Sequence, residues 1–301
     1  MTDVSSQPER RATSENDSPL PLVSIVTPSF NQARFLGSTL ESVAMQRYPR
    51  LEHIVVDGGS TDGSVEILKA FSASHPHLKW VSGPDGGQAD ALNRGFGMAK
   101  GEILGWLNSD DLYCVDAIPI AVHSLTQNPE LDLVYGDAWL IDERGRIRRP
   151  WDFIEDFDAR RLRTVKDYIC QPAAFIRRRV LDSVGQLDTS LHWAMDWDFW
   201  IRIAQRGQVR RIPGFLACAR DYADTKTAGG GFPRLREAMM LMRRHNGGRV
   251  PPAMLIYFTR GVVLDAIRWK FRALPVTRDV LRWNDKRRAR RFQESSIMPA
   301  Q

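Results

Sequence analysis

The chain has 301 residues, 43% of them hydrophobic and 26% charged. That balance excludes a disordered or fibrous protein and allows one large domain or a domain with an extension. The net charge of +6 is uneven: residues 234–291 hold 16 Lys and Arg against 4 Asp and Glu, so the rest of the chain is net acidic and the basicity belongs to a tail. Three scattered cysteines, Cys114, Cys170 and Cys218, suit neither a disulfide framework nor a zinc cluster and read as buried thiols of a reducing compartment. Residues 1–21 are polar, with no apolar run, so they read as a disordered leader rather than a signal peptide, and a cytoplasmic location is expected. No stretch of 18 uninterrupted apolar residues occurs, so no membrane-spanning helix is expected.

In chain order, Val23-Ser24-Ile25-Val26 predicts a strand, followed by Thr27-Pro28-Ser29-Phe30-Asn31. Phe35, Leu36, Thr39, Leu40 and Val43 then recur at helical spacing. Leu51 to Val56 predicts a second strand, ending at Asp57. The loop Gly58-Gly59-Ser60-Thr61-Asp62-Gly63 leads to a helix through Val65, Ile67, Leu68 and Phe71. Leu78 to Ser82 predicts a third strand, and after Gly83-Pro84-Asp85-Gly86-Gly87 a helix runs from Gln88 to Ala99. Ile103-Leu104-Gly105 begins a fourth strand. This alternation implies an α/β fold with a mostly parallel sheet flanked by helices. Gly95, Gly97 and Gly101 faintly resemble a dinucleotide fingerprint, but they lie late in a helix, where that motif cannot act.

The fourth strand runs into Trp106-Leu107-Asn108-Ser109-Asp110-Asp111. Ligands bind at the carboxyl ends of strands in such sheets. Two adjacent carboxylates there repel unless a cation lies between them, and Mg²⁺ typically takes one or two carboxylates plus substrate phosphates. The alternative is a solvated turn in which one aspartate caps the next helix. Asn31, Asp57, Asp62 and Asp85 follow neighbouring strands onto the same sheet edge, which favours a site.

Beyond Asp111 the pattern predicts a helix over Ala117 to Leu125, a strand over Leu131 to Tyr135 and a hairpin flanking Asp142-Glu143-Arg144-Gly145. A strand over Gln171 to Ile176 and a short helix over Val180 to Val184 follow. His192 to Trp200 forms an aromatic-acidic cluster that opens a helix ended by Gly207. Asp196 reads either as a helix cap or as a general base held in place by bulky neighbours. Arg220-Asp221-Tyr222, Thr225-Lys226-Thr227 and Gly229-Gly230-Gly231 read as a solvated glycine loop or as a lid whose cations meet a diphosphate. The tail over residues 233–301 is helical in pattern, with apolar Leu255, Ile256, Phe258, Val262, Val263 and Trp269 alternating with Arg260, Arg268, Lys270 and Arg272. Such a tail suits an anionic membrane surface, at the inner face for a cytoplasmic protein, or packs on the preceding domain with a solvated basic face. The arginine run near its end has no accompanying nucleic-acid-binding fold, so no nucleic-acid partner is expected.

Five segments in order, Thr27 to Asn31, Asp57 to Gly63, Gly86-Gly87 through Asn93, Leu107 to Asp111, and Met195 to Asp198, resemble the motif set of family 2 glycosyltransferases over roughly residues 22–222. The resemblance implies the GT-A fold, with a nucleotide-binding half at about 22–111, an acceptor half at about 112–232 and the basic tail as an extension. It implies that Thr27, Pro28 and Asn31 line the nucleotide pocket, that Asp57 holds the base or ribose, and that Asp62 holds the adjoining loop. Asp85, Gln88 and Asn93 would shape the nucleotide-sugar side, with Asn108 and Asp110 nearby. Asp110 and Asp111 would bind Mn²⁺ or Mg²⁺, Asp196 would be the base and Asp198 its companion. Two positions depart from the common pattern: Asn108 stands where many members have Asp, and Met195 where many have Glu. The implied reaction moves a sugar from a nucleotide-diphosphate-sugar to a hydroxyl of a glycan or lipid-linked acceptor, with inversion. The enzymic alternative is a sugar nucleotidyltransferase, although a phosphate-binding glycine loop is missing after the first strand. A membrane-docked scaffold without turnover is the other.

Overall fold

The computed structural model describes residues 20–223, 225–226 and 230–252. Strands β1 (Val23–Ser29), β2 (Leu51–Asp57), β3 (Leu78–Ser82) and β4 (Ile103–Trp106) alternate with helices α1 (Ala33–Ala44), α2 (Ser64–Ser72) and α3 (Gln88–Met98). These are the elements that the periodicity predicts. The four strands pair in parallel in the order β3-β2-β1-β4. All seven residues of β1 are buried, as a parallel strand covered on both faces requires. β1 also runs on through Thr27-Pro28-Ser29, which the sequence pattern places after the strand. Pairing with β2 extends to Ser29 opposite Asp57, whereas pairing with β4 stops at Val26. Pro28 thus lies beyond the last rung on the β4 side, where a missing N–H costs little.

The second half departs further from the expectation. β5 (Leu112–Tyr113), α4 (Ala117–Gln127), β6 (Leu131–Ile141), β7 (Ile147–Pro150), α5 (Ala159–Thr164), β8 (Ala174–Arg177), α6 (Arg179–Val184), α7 (Met195–Arg206), β9 (Gln208–Arg220) and α8 (Gly231–His245) complete the described fold. The sheet continues as β8-β6-β9-β5, with β7 on β6. β8 is antiparallel to β4 and to β6, and only β6 and β9 add another parallel pair. The sheet as a whole is therefore mixed, parallel in its first half and largely antiparallel in its second. β6 runs on through Gly136-Asp137, past the expected end of the strand at Tyr135. A side chain at Gly136 would meet Leu216 Cγ at 2.6 Å and the Gly214 carbonyl oxygen at 2.8 Å, so the glycine lets β9 come alongside.

Period-two alternation divides the core between the two sheet faces. Val26, Ile54 and Val56 pack with α3, α7 and α8 on one face, and Val23 and Ile25 pack with α4 on the other. Gly95 in α3 is a close-packing position: a Cβ there would lie 2.3 Å from Val26 Cγ1. α8 begins at Gly231 and buries Glu237, Ala238, Leu241 and Met242. The start of the tail is thus packed on the domain, and residues 253–301 lie outside the described residues. Among the described residues no helix is long and apolar enough to cross a membrane.

Candidate active site

The loop that follows β4 is fixed from below. Thr39 of α1, fully buried, donates its hydroxyl to the carbonyls of Ser109 and Asp111, both at 2.9 Å. Asp110 and Asp111 do not cap a helix, since α4 starts after Asp116. Asp111 is buried and turned inward, where Oδ1 accepts from the Arg220 backbone N–H (2.8 Å) and Oδ2 from Asn108 Nδ2 (3.3 Å). Asp110 is half-buried, and Tyr222 donates its hydroxyl to Oδ2 (2.9 Å). Burial raises both carboxyls above the ordinary range, and Asp111 well above it because the Asp110 charge adds to burial. Among the described residues no group of three or more His, Cys, Asp or Glu is placed to hold a metal ion.

Arg220, a candidate cation for a diphosphate, is committed to the fold. Its Nε donates to the Asp110 carbonyl (2.6 Å), and its Nη1 donates to the carbonyls of Asp142 (2.9 Å) and Glu143 (3.1 Å). Its guanidinium carbon lies 4.5 Å from the Phe35 ring centre, against which Tyr222 also packs. Lys226 instead reaches across: its Nζ donates to Gln88 Oε1 (2.7 Å) at the start of α3. Gln88 Nε2 then donates to Asn108 Oδ1 (2.8 Å), and Asn108 Nδ2 donates to Gln171 Oε1 (2.9 Å). One polar chain therefore links the loop after β9, the start of α3 and the acidic loop after β4. Gln171 has no signal in the sequence motifs; only the fold brings it here.

The predicted nucleotide side is mostly satisfied internally. Asp57 Oδ2 accepts from the backbone N–H groups of Gly59 (3.1 Å) and Ser60 (2.9 Å) and from Ser82 Oγ (2.7 Å), and Oδ1 accepts from Ser60 Oγ (2.5 Å). Four bonds take up most of a carboxylate's accepting capacity. Asp62 ties two helix starts together, accepting from Ala33 N–H (2.8 Å) and from Ser64 N–H (3.0 Å) and Oγ (2.7 Å). Burial alone would raise its carboxyl, but these bonds hold it below the ordinary value. Asn31, at a left-handed φ of 51°, joins the same loop by accepting from Thr61 N–H (2.9 Å) and donating its own N–H to Ser60 Oγ (2.7 Å). Asp85 accepts from Gly87 N–H (2.8 Å) and lies against Gly58. Three of the expected residues are enclosed. Pro28 is buried in β1, Thr27 is fully buried and hydrogen-bonded to His53 Nε2 (2.9 Å), and the Asn93 amide pairs with both backbone groups of Leu187 (2.9 and 3.0 Å).

Asp196 is the second residue of α7, whose cap position is Ala194. Its Oδ1 accepts from the next N–H, that of Trp197 (2.8 Å). Trp197, Phe199, Trp200 and Ile201 are buried around it, so the backbone that carries Asp196 is fixed by packing. Burial raises the Asp196 carboxyl above the ordinary range, against the pull of the Trp197 N–H, Lys226 and Arg234. Asp167, which the sequence reading missed, is its carboxylate neighbour; burial and the Asp196 charge raise it strongly. Asp198 is engaged by partners other than Asp196. It is buried and pairs with Arg202 Nε (2.7 Å) and His245 Nε2 (2.8 Å), clamping α8 to α7.

The profile of the family described as Glycosyl transferase family 2 matches residues 24–185, more than half of the chain. An uncharacterized glycosyltransferase of Mycobacterium tuberculosis is 33% identical over 239 residues, covering 76% of this chain and 87% of the relative. A PGL/p-HBAD biosynthesis glycosyltransferase of Mycobacterium bovis is 35% identical over 184 residues, covering 60% of this chain and 69% of the relative. The fold is similar to that of Staphylococcus aureus TarS in complex with UDP-GlcNAc, with a TM-score of 0.61 at 19% identity over 74% of this chain and 66% of that one. It is also similar to the mannosyltransferase PcManGT of Pyrobaculum calidifontis in complex with GDP-Man and Mn²⁺, with a TM-score of 0.56 at 25% identity over 81% of this chain and 70% of that one. The acidic loop after β4, the aromatic-acidic helix α7 and these likenesses agree: the chain belongs to glycosyl transferase family 2 and is a glycosyltransferase of the GT-A fold.

Proposed function

We propose that the chain transfers a sugar, with inversion, from a nucleotide-diphosphate-sugar to a hydroxyl of a glycan or lipid-linked acceptor, in the building of polysaccharide or cell-surface glycan. The observation that carries this reading is the Lys226–Gln88–Asn108 chain, which runs from beside Asp196 to the acidic loop of Asp110 and Asp111. Donor and acceptor chemistry can then meet along one polar path. The mannosyltransferase neighbour, in complex with GDP-Man and Mn²⁺, supports both the donor class and a divalent ion.

The residues fit such an ion. Two adjacent carboxylates, one buried and one half-buried, destabilise each other without a cation, and Mg²⁺ or Mn²⁺ needs few protein ligands when a diphosphate supplies the rest. Asp110 would hold it, with Asp111 behind as the anchor to the Arg220 N–H. When bound, the ion supplies charge neutralisation to the leaving diphosphate. Asp57, Asp62 and Asn31 keep the two loops of the nucleotide side in place, and Asp85 and Gln88 border the sugar side. Asp196, with its carboxyl raised by burial, accepts the proton of the acceptor hydroxyl as it attacks the anomeric carbon. A single displacement needs no nucleophile from the protein and inverts that centre.

The basic tail fits an anionic membrane surface that presents a lipid-linked acceptor. On α8, exposed Phe232 and Met240 alternate with Arg236 and Arg243 in the manner of an interfacial helix. The test of the reaction is turnover with UDP-, GDP- and dTDP-sugars, each with Mn²⁺, Mg²⁺ or a chelator. One nucleotide class should release its diphosphate only when metal is present, and a product with the opposite anomeric configuration should form. Metal-independent release or retained configuration would contradict the reading.

A further inference from the structure

We propose that Glu237 is a positioning residue for Asp196, acting from α8 on the backbone that leads into α7. The Glu237 side chain is buried, at 6% exposure, and its carboxylate accepts three successive backbone N–H groups. His192 N–H donates to Oε2 (2.8 Å), and Trp193 and Ala194 N–H donate to Oε1 (2.6 Å each). These are the residues that lead into the first turn of α7, where Asp196 is the second helical residue. Of these three, only the N–H of Ala194, the cap position, is among the donors that a helix start leaves without a partner; His192 and Trp193 precede it. A side chain three residues past the cap often accepts the cap's N–H, but that position is Trp197, which offers no acceptor. The acceptor comes instead from 43–45 positions downstream. Three charge-assisted bonds to consecutive amides form an anion nest and also complement the positive end of the helix.

Geometry separates this from an ordinary cap. The three amides precede Asp196 by two to four residues, and Trp193 also donates its indole N–H to the Lys226 carbonyl (3.1 Å). The nest therefore fixes both the backbone from which Asp196 projects and the loop that carries Lys226 to Gln88. A neutral amide cannot do the same. Glutamine offers one acceptor oxygen, and its NH₂ group would face an N–H donor.

The catalytic part of this inference rests on Asp196 acting as the base, so the test has one arm that does not need turnover. Glu237→Gln is compared with wild type and with Leu241→Val, which removes one methylene from the buried face of the same helix. In E237Q, amide hydrogen exchange in a peptide over residues 190–197 should speed up by about tenfold or more, with β1 and β2 unchanged. Its kcat should fall by about 100-fold with the donor KM nearly constant, whereas L241V keeps both near wild type. Unchanged exchange at 190–197 would overturn the nest. Faster exchange with undiminished kcat would overturn the positioning role. If the wild-type chain turns over no donor, the base assignment fails while exchange still judges the nest. If E237Q is recovered unfolded, Glu237→Asp, which keeps the charge one methylene short, gives the same two readouts.

Discussion

Asp196→Asn is expected to lower kcat by about 10²- to 10⁴-fold, the usual contribution of a positioned general base, while donor binding stays near that of wild type. Asparagine matches aspartate in shape and can still accept the Trp197 N–H, so the helix start should survive. What it cannot do is take the proton from an acceptor hydroxyl. The pH profile gives the same prediction an independent reading. Burial raises the folded Asp196 carboxyl above its ordinary value of about 4. A base works deprotonated, so kcat/KM should fall as pH drops through that raised value, at a higher pH than an exposed aspartate would give. The limb should be absent from the residual activity of D196N. A D196N enzyme with near-normal kcat, or one that keeps the acidic limb, would remove Asp196 from the role of base.

The other large effect concerns stability. Arg220→Met is expected to destabilise the fold by roughly 2 kcal/mol or more, because the Asp110 carbonyl loses its charged donor, the Asp142 carbonyl keeps only the Gly145 N–H, the exposed Glu143 loses its tie to the fold, and an unpaired buried acceptor costs about 1–3 kcal/mol. For a chain of this length that corresponds to a fall in melting temperature on the order of 10 °C. Arg220→Lys should recover only part of it, since an ammonium cannot reproduce the planar fork that reaches three carbonyls. Melting of R220M within about 2 °C of wild type would show that the guanidinium is free for another task, and would revive Arg220 as a ligand for the diphosphate.

These two residues illustrate what the sequence could reveal. The alternation of strands and helices from Val23 to Trp106 was legible because each element is apolar on the faces that it buries: Phe35, Leu36, Leu40 and Val43 in α1, and Ala89, Leu92 and Phe96 in α3. Asp110, Asp111 and Asp196 were legible as motif positions because short loops at strand ends and helix starts carry them. β9 was not legible. Arg210, Arg211, Pro213 and Gly214 interrupt its pattern, and it is a strand because β6 lies beside it. Nor can a sequence show which polar groups are already satisfied. Asp57 looked free to hold a base, Asn93 to shape a sugar pocket and Arg220 to meet a phosphate. Each is engaged by partners 2 to 110 positions away. Glu237 and Asp167 were overlooked for the converse reason, since only tertiary packing brings them to the start of α7 and to Asp196.

A donor diphosphate and a divalent ion are expected to meet at Asp110. The most direct measurement is calorimetric titration of the wild-type chain and of Asp110→Asn with UDP and with GDP, each with and without Mn²⁺. One nucleotide should bind the wild type at least about tenfold more tightly with Mn²⁺, and D110N, folded to the same melting temperature, should lose this metal-dependent gain. Equal affinity with and without the ion in wild type, or a D110N variant that keeps the full gain, would contradict it.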